Sequence, residues 1–195
     1  MKKLLVLLPI LTMMLAGCGG NNPAGGTGEL LVEYDFTSRE ETSKEQQDYP
    51  NRICDSTEDF FNECAVSGAE HLESAYTTKV TSGGGKSGAH EYGFGFLKYG
   101  TSSEEGYTTF TFDEPVSKVV VKCHSFFAKS DGYDPLDKID VNGESVLCPY
   151  NETATGEDVT FEIEASSEVK ITSTGRVKDD KPYGRMYVWN IKFYK

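Results

Sequence analysis

Three aspartates recur every three residues in the second half of the chain. Asp131, Asp134 and Asp137 are set around Gly132 and Pro135. A hard cation such as calcium takes roughly six to eight oxygen ligands, and a loop with carboxylates and free carbonyl groups supplies them. The spacing favours the three aspartates as ligands of a structural calcium ion. The alternative is a solvated acidic loop.

Aromatic and polar side chains of the kind that bind sugars occur in or near predicted loops. A sugar ring presents C–H groups that pack on an aromatic face, while neighbouring charged and amide groups bind its hydroxyls. Tyr133 and Tyr183 are the candidate aromatic platforms, and Arg176, Arg185 and Asp179 are the candidate hydroxyl-binding groups. The alternative is that these side chains serve only the fold.

No residue pattern predicts catalysis. Hydrolysis needs a nucleophile beside a base, or two carboxylates roughly 5 to 10 Å apart. The 31 acidic residues would bring some pair together by chance, and the three histidines have no nearby nucleophile signature. The glycine-rich stretch 83–87 has Val80 where a phosphate-binding loop needs its first glycine. We therefore expect that the chain is not an enzyme.

The N-terminus has the pattern of an export signal. Lys2 and Lys3 precede a mostly apolar run at 4–15, which is shorter than the roughly 20 residues of a transmembrane helix and fits a secretory leader. The run ends in Leu-Ala-Gly-Cys at 15–18. This ending resembles the lipobox of bacterial lipoproteins, which implies cleavage before Cys18 and lipidation of Cys18. The alternative is an ordinary secretory signal that happens to end in cysteine.

The predicted organisation is a signal peptide at 1–17, the lipidated cysteine with a glycine-rich tether at 18–28, and one domain at 29–195. This places the protein in the bacterial cell envelope, on the extracytoplasmic face, with the N-terminal lipid in a membrane. Loss of two lysines with the leader changes the net charge from −12 to −14. A chain this acidic is repelled by anionic headgroups, and it lacks the basic face that a nucleic-acid binder needs.

Four further cysteines fit an oxidising compartment. An even number outside the cytoplasm predicts two disulfides, and we prefer the local pairs Cys54–Cys64 and Cys123–Cys148 among the three pairings. Each pair would contribute about 3 kcal/mol by closing a short loop. A zinc site is disfavoured because the chain has no Cys-x-x-Cys pair and its three histidines are scattered. Free buried thiols remain the alternative.

Period-two alternation from residue 29 onward predicts short antiparallel strands, with one short helix at about 57–66. The alternation places Tyr187, Trp189, Ile191 and Phe193 on one face of the last strand, and Asp113-Glu114-Pro115 reads as a turn between two strands. Strands are expected at 29–36, 76–82, 90–99, 107–112, 118–124, 139–142, 146–148, 159–164, 169–172 and 185–194. The fold class expected from this pattern is an all-β antiparallel sandwich.

The order of segments in the second half carries a second resemblance. The segments are TTFTFDEPVSKVVVKCHSF, IDVNGES, DVTFEIEASSEVKITST and RMYVWNIKFYK. They are similar to the jelly-roll, galactose-binding-like β-sandwich modules of bacterial extracellular proteins. The resemblance implies a sandwich in which a ligand meets the loops at one end or the concave face. The acidic, cysteine-bearing stretch at 37–75 departs from the pattern.

Three functions are consistent with these observations. We favour a surface binding module for carbohydrate or another envelope component. The alternatives are a structural or adhesion protein, or an accessory subunit, with a protein partner, and a small hydrolase with an unrecognised site. A concave face with exposed aromatics would favour sugar, and a flat apolar patch would favour a partner.

Overall fold

The computed structural model describes residues 28–38, 57–87, 90–126, 136–151 and 155–195. The predicted signal peptide, the lipidation site Cys18, most of the tether, and the predicted site residues Cys54, Asp131, Tyr133 and Asp134 lie outside these ranges. No helix within the ranges has the length and apolar character that crossing a membrane requires.

The described residues form twelve strands and one α-helix. The helix α1 is Thr57–Cys64, and single 3-10 turns lie at Phe36–Ser38 and Ala69–His71. The strands are β1 Leu30–Asp35, β2 Ala65–Ser67, β3 Leu72–Thr78, β4 Val80–Ser87, β5 His90–Tyr99, β6 Gly106–Ser125, β7 Lys138–Val141, β8 Glu144–Leu147, β9 Glu157–Thr174, β10 Arg176–Lys178, β11 Lys181–Tyr183 and β12 Met186–Tyr194. The all-β antiparallel sandwich with one short helix is therefore confirmed.

Two long strands, β6 and β9, lie at the centre of a ten-stranded sheet. The first half of β6 pairs with β3 and the second half pairs with β12, while β9 lies along the other edge of β6 throughout. β7 and β8 extend the sheet beyond β9, and β1 and β5 both pair with β12. β10 and β11 form a separate hairpin.

The register of β6 against β9 shifts between Thr111 and Val116. Thr111 is opposite Glu168 and Val116 is opposite Ser166, so four residues of β6 face a single residue of β9. Such bulges bend a strand and increase its twist, and proline is tolerated there because it has no N–H to donate. The predicted turn at 113–115 is therefore wrong: Pro115 lies in a bulge inside one continuous strand.

The core between the layers is rich in aromatic rings. Phe110 is fully buried, and its ring centroid lies 4.8 Å from that of Phe61 in α1 and 5.0 Å from that of Phe193 in β12. Helix α1 buries Phe60 and Phe61 and exposes Glu58 and Asp59 in its first turn, where carboxylates stabilise the helix N-terminus. These aromatic contacts thus pack α1 against the sheet.

The side chains of β12 do not alternate as predicted. A bulge between Val188 and Asn190 changes the phase of the strand. Val188, Ile191 and Phe193 face the main core, whereas Trp189 packs on the opposite face with Tyr187 and with Phe96 of β5. The prediction of one shared face is wrong because an inserted residue reverses the direction of the side chains that precede it.

Candidate functional site

Three of the predicted ligand-binding residues lie on the β10–β11 hairpin. Arg176 is opposite Tyr183 in its register, and Asp179 is exposed in the turn. Asp179 and Asp180 have φ values of 51° and 60°, as a two-residue hairpin turn requires. The structure therefore brings Arg176 and Tyr183 together and places Asp179 at the tip.

Asp137 is buried beneath this hairpin. Its Oδ1 accepts hydrogen bonds from Arg176 Nε at 2.8 Å and from the Arg185 backbone N–H at 3.2 Å, and its Oδ2 accepts one from Ser125 Oγ at 2.7 Å. The carboxylate is thus satisfied by protein donors. These hydrogen bonds give Asp137 a structural role. The calcium role of Asp131, Asp134 and Asp137 stays a prediction.

Both predicted arginines are held by internal contacts. Partial burial opposes the charge of Arg176, but the Asp137 carboxylate and the Tyr183 hydroxyl raise its pKa. The guanidinium carbon of Arg185 lies 4.1 Å from the ring centroid of Phe126, in a cation–π contact. This geometry favours a bracing role for Arg176 and Arg185.

Two of the predicted disulfide partners face each other as thiols. The sulfur atoms of Cys123 and Cys148 are both buried and lie 3.7 Å apart, with Met186 Sδ 4.0 Å from Cys148 Sγ. The contact with Cys123 and burial raise the pKa of Cys148. The structure thus brings these two cysteines together, but it holds no disulfide among the described residues. Cys64 is buried in α1, and its predicted partner Cys54 lies outside the described residues.

A polar groove lies on the outer face of β7, β8 and β9. Its volume is about 660 Å³. Carboxylates, hydroxyls and one ammonium group line it, and these include Glu105, Asp140, Ser145, Glu168, Lys170 and Thr172. Groups of these kinds donate to and accept from hydroxyl groups.

Hydrogen bonds within the β7–β8 turn fix one wall of the groove. Asp140 Oδ1 accepts from the Gly143 N–H at 3.0 Å, and Asp140 Oδ2 accepts from Ser145 Oγ at 2.6 Å. The Asn142 side chain accepts from the Lys170 N–H at 2.7 Å and donates to the Glu168 carbonyl at 3.1 Å. The Asn142-Gly143 hairpin, which the sequence predicts, is thereby joined to β9.

Two tyrosines extend the same face beyond the groove. The register places Tyr76 of β3 beside Thr109 of β6, and Lys170 of β9 on the far side of Thr109. Tyr76 is 62% exposed, and its ring centroid lies 6.1 Å from that of Tyr107. Lys170 Nζ lies 4.3 Å from the Tyr107 centroid. An exposed aromatic pair is therefore continuous with the polar groove.

The sequence interpretation missed Tyr76, Tyr107 and Lys170 as a group. The signal was the alternation of β6, which places Tyr107 on the same outward phase as Thr109 and Thr111. The pairing of β3 with β6 and of β6 with β9, which joins the three side chains, is not readable from a single sequence.

No protein-family model and no curated protein matches the sequence. Among solved structures, the chain is similar to a ruminal GH26 endo-beta-1,4-mannanase, with 20% identity, a TM-score of 0.38, and coverage of 58% of this chain and 23% of that one. It is also similar to a family two carbohydrate esterase from Cellvibrio japonicus, with 15% identity, a TM-score of 0.30 and coverage of 62% and 33%. A third structure contains the CBM32-1, CBM32-2 and M60 catalytic domains of ZmpB from Clostridium perfringens, with 14% identity, a TM-score of 0.32 and coverage of 75% and 17%. The chain thus spans a third or less of the length of each of these structures.

Proposed function

We propose that the outer face of β3, β6, β9, β7 and β8 binds a neutral glycan chain. The observation that carries the proposal is the exposed side chain of Tyr76, paired with Tyr107 and continuous with the polar groove. A large aromatic ring exposed in the middle of a strand offers an apolar face to a sugar ring, while the groove offers partners for its hydroxyls.

The dimensions and chemistry of this face suit an extended ligand. From β3 to β8 the sheet takes four inter-strand steps of about 4.8 Å, or roughly 19 Å in all, which is the length of several sugar units. Among the described residues, no side-chain hydrogen bond or ion pair engages the carboxylates of Glu105 and Glu168, so both are available to hydroxyls. The walls hold Glu105, Asp140 and Glu168 against one cation, Lys170. This excess of negative charge favours a neutral glycan over an anionic one.

The proposed activity is binding without catalysis. Both carboxylate oxygens of Asp140 already accept hydrogen bonds, and no histidine or cysteine is among the residues that line the described part of the groove. The described lining therefore holds no histidine base beside a serine or thiol nucleophile of the kind that acyl transfer uses.

We expect Tyr76→Ala to weaken glycan binding roughly fivefold or more, because an aromatic stacking partner contributes about 1 kcal/mol beyond its buried area. The measurement is affinity electrophoresis in gels that contain mannan, galactan or xylan. Tyr183→Ala is the matched control, since it removes a tyrosine from the β10–β11 hairpin. It should leave the retardation of the protein by the polysaccharide unchanged. Retardation that is lost in Tyr183→Ala and kept in Tyr76→Ala would place the site at the hairpin instead.

We also propose that the module is held in the bacterial cell envelope, on the extracytoplasmic face, by a lipid on Cys18. The support is the Leu-Ala-Gly-Cys sequence after an apolar run. Cys18→Ser should move the protein from the membrane fraction to the soluble fraction on cell fractionation, because the acidic chain has no other attraction to anionic headgroups. Unchanged retention in the membrane fraction would refute lipidation at this position.

A further inference from the structure

A histidine and two carboxylates meet at the bulge of β6. The antiparallel register pairs Leu72 of β3 with Phe112 of β6. His71 precedes Leu72 and Asp113 follows Phe112, so His71 and Asp113 are brought face to face. His71 Nδ1 lies 3.0 Å from Asp113 Oδ1 and 3.8 Å from Glu114 Oε1.

The separations of these donor atoms suit a small divalent ion. One ligand atom from each of the three residues lies within 4.8 Å of the others. A tetrahedral zinc ion with bonds of about 2.0–2.2 Å holds its ligand atoms roughly 3.3–3.6 Å apart. The measured 3.0 and 3.8 Å lie on either side of that range. Small side-chain rotations would therefore place three protein ligands around a four-coordinate ion, with water as the fourth ligand.

The local charge also favours a dication. Lys195 Nζ lies 3.0 Å from Glu114 Oε1 and 3.7 Å from Glu29 Oε2. The cluster thus holds three carboxylates, of Asp113, Glu114 and Glu29, against one ammonium group. With His71 neutral, as a metal ligand must be, the cluster carries two uncompensated negative charges. A divalent ion neutralises them.

We propose that His71, Asp113 and Glu114 bind a zinc ion. The ion joins the start of β3 to the bulge of β6, and so it stabilises the folded state by binding it in preference to the unfolded chain. Lys195 is a competitor for Glu114, and its ammonium group must move aside as the ion enters. The other histidine with a described side chain, His124, is not a rival: its Nδ1 donates to the Ser125 carbonyl and its Nε2 accepts from the Asn151 N–H.

The test is isothermal titration of the metal-free protein with zinc chloride. We expect one ion per chain, a higher melting temperature with zinc, and affinity at least roughly tenfold weaker in His71→Ala and in Asp113→Asn. Glu144→Gln, which changes a carboxylate in the β7–β8 turn, is the control and should bind as the unmodified chain does. Lys195→Met should bind zinc more tightly, because it removes the competing cation.

Two results would overturn the proposal. The first is no heat of binding at 100-fold molar excess of zinc. The second is an affinity that His71→Ala and Asp113→Asn leave unchanged, which would assign the ion to other groups. A cobalt-substituted sample separates these cases further, since loss of its visible absorption in His71→Ala requires that this imidazole is a ligand.

Discussion

Replacement of Asp137 by alanine is expected to lower the free energy of unfolding by about 3–5 kcal/mol. Asp137 is 1% exposed. Its side chain joins three segments: Arg176 of β10, Ser125 at the end of β6, and the backbone at Arg185 before β12. Its removal takes one acceptor away from a partly buried guanidinium, a buried hydroxyl and a backbone N–H. The loss of an acceptor from buried donors costs more than the net gain from forming the hydrogen bond.

The measurement is chemical denaturation, and two further variants make it specific. Asp179→Asn lies in the turn of the same hairpin and keeps a residue type that tolerates positive φ, so its stability should change by less than about 0.5 kcal/mol. Arg176→Met should also be strongly destabilising, because the buried carboxylate then loses its cation. A loss below about 1 kcal/mol in Asp137→Ala would contradict the role of Asp137 as the bracing carboxylate.

Oxidation of Cys123 and Cys148 to a disulfide is expected to stabilise the fold by about 3 kcal/mol, the value for a loop of this length in the chain-entropy model. The thiols are already in contact at 3.7 Å. Bond formation removes two electrons and two protons, which an oxidant such as glutathione disulfide accepts as it is reduced to two thiols. Because the contact with Cys123 and burial raise the pKa of Cys148, thiolate is scarce and the reaction in the folded state should be slow.

Refolding in a glutathione redox buffer, followed by peptide mapping without reduction, measures this pairing. We expect a peptide that links Cys123 to Cys148, and a higher denaturation midpoint than in the reduced protein. Cys148→Ala is the control. Without this thiol pair, its denaturation midpoint should not differ between the oxidised and the reduced protein. A linked peptide that joins Cys123 to Cys54 or Cys64 would contradict the pairing.

Strand alternation was enough to predict most of the fold. The first strand, the helix that ends at Cys64, the Asn142-Gly143 hairpin and the inward phase of Phe110 and Phe112 agree with the structure. These features depend on local patterns, namely period-two burial, a capping sequence and a two-residue turn. A single sequence carries all three.

The features that sequence analysis missed are those in which pairing overrides local preference. Pro115 indicates a turn, yet β6 continues through it because its neighbours pair on both sides of the bulge. The bulge in β12 sends Trp189 to the outer face. The contact of Asp137 with Arg176 is likewise absent from the sequence analysis, because the two residues are 39 positions apart. Long-range register decides each of these, and it cannot be read from spacing.

The candidate site also depends on long-range pairing that local sequence patterns do not reveal. Of the predicted aromatic and arginine residues, Arg176 and Tyr183 lie on the β10–β11 hairpin, where contacts within the fold hold them. The exposed Tyr76 comes into line with Lys170 only through the β3–β6–β9 register. Its exposure in a strand is the reason for proposing it as a binding residue.

The most direct test of the glycan-binding account is a backbone amide chemical-shift titration with soluble manno-, galacto- and xylo-oligosaccharides. The account predicts saturable shifts for one of these series, centred on Tyr76, Tyr107 and residues 168–174, with little change at residues 176–185. Shifts confined to the β10–β11 hairpin would contradict the assigned site. An absence of saturable shifts with every series at millimolar concentration would contradict binding of neutral glycans by this module.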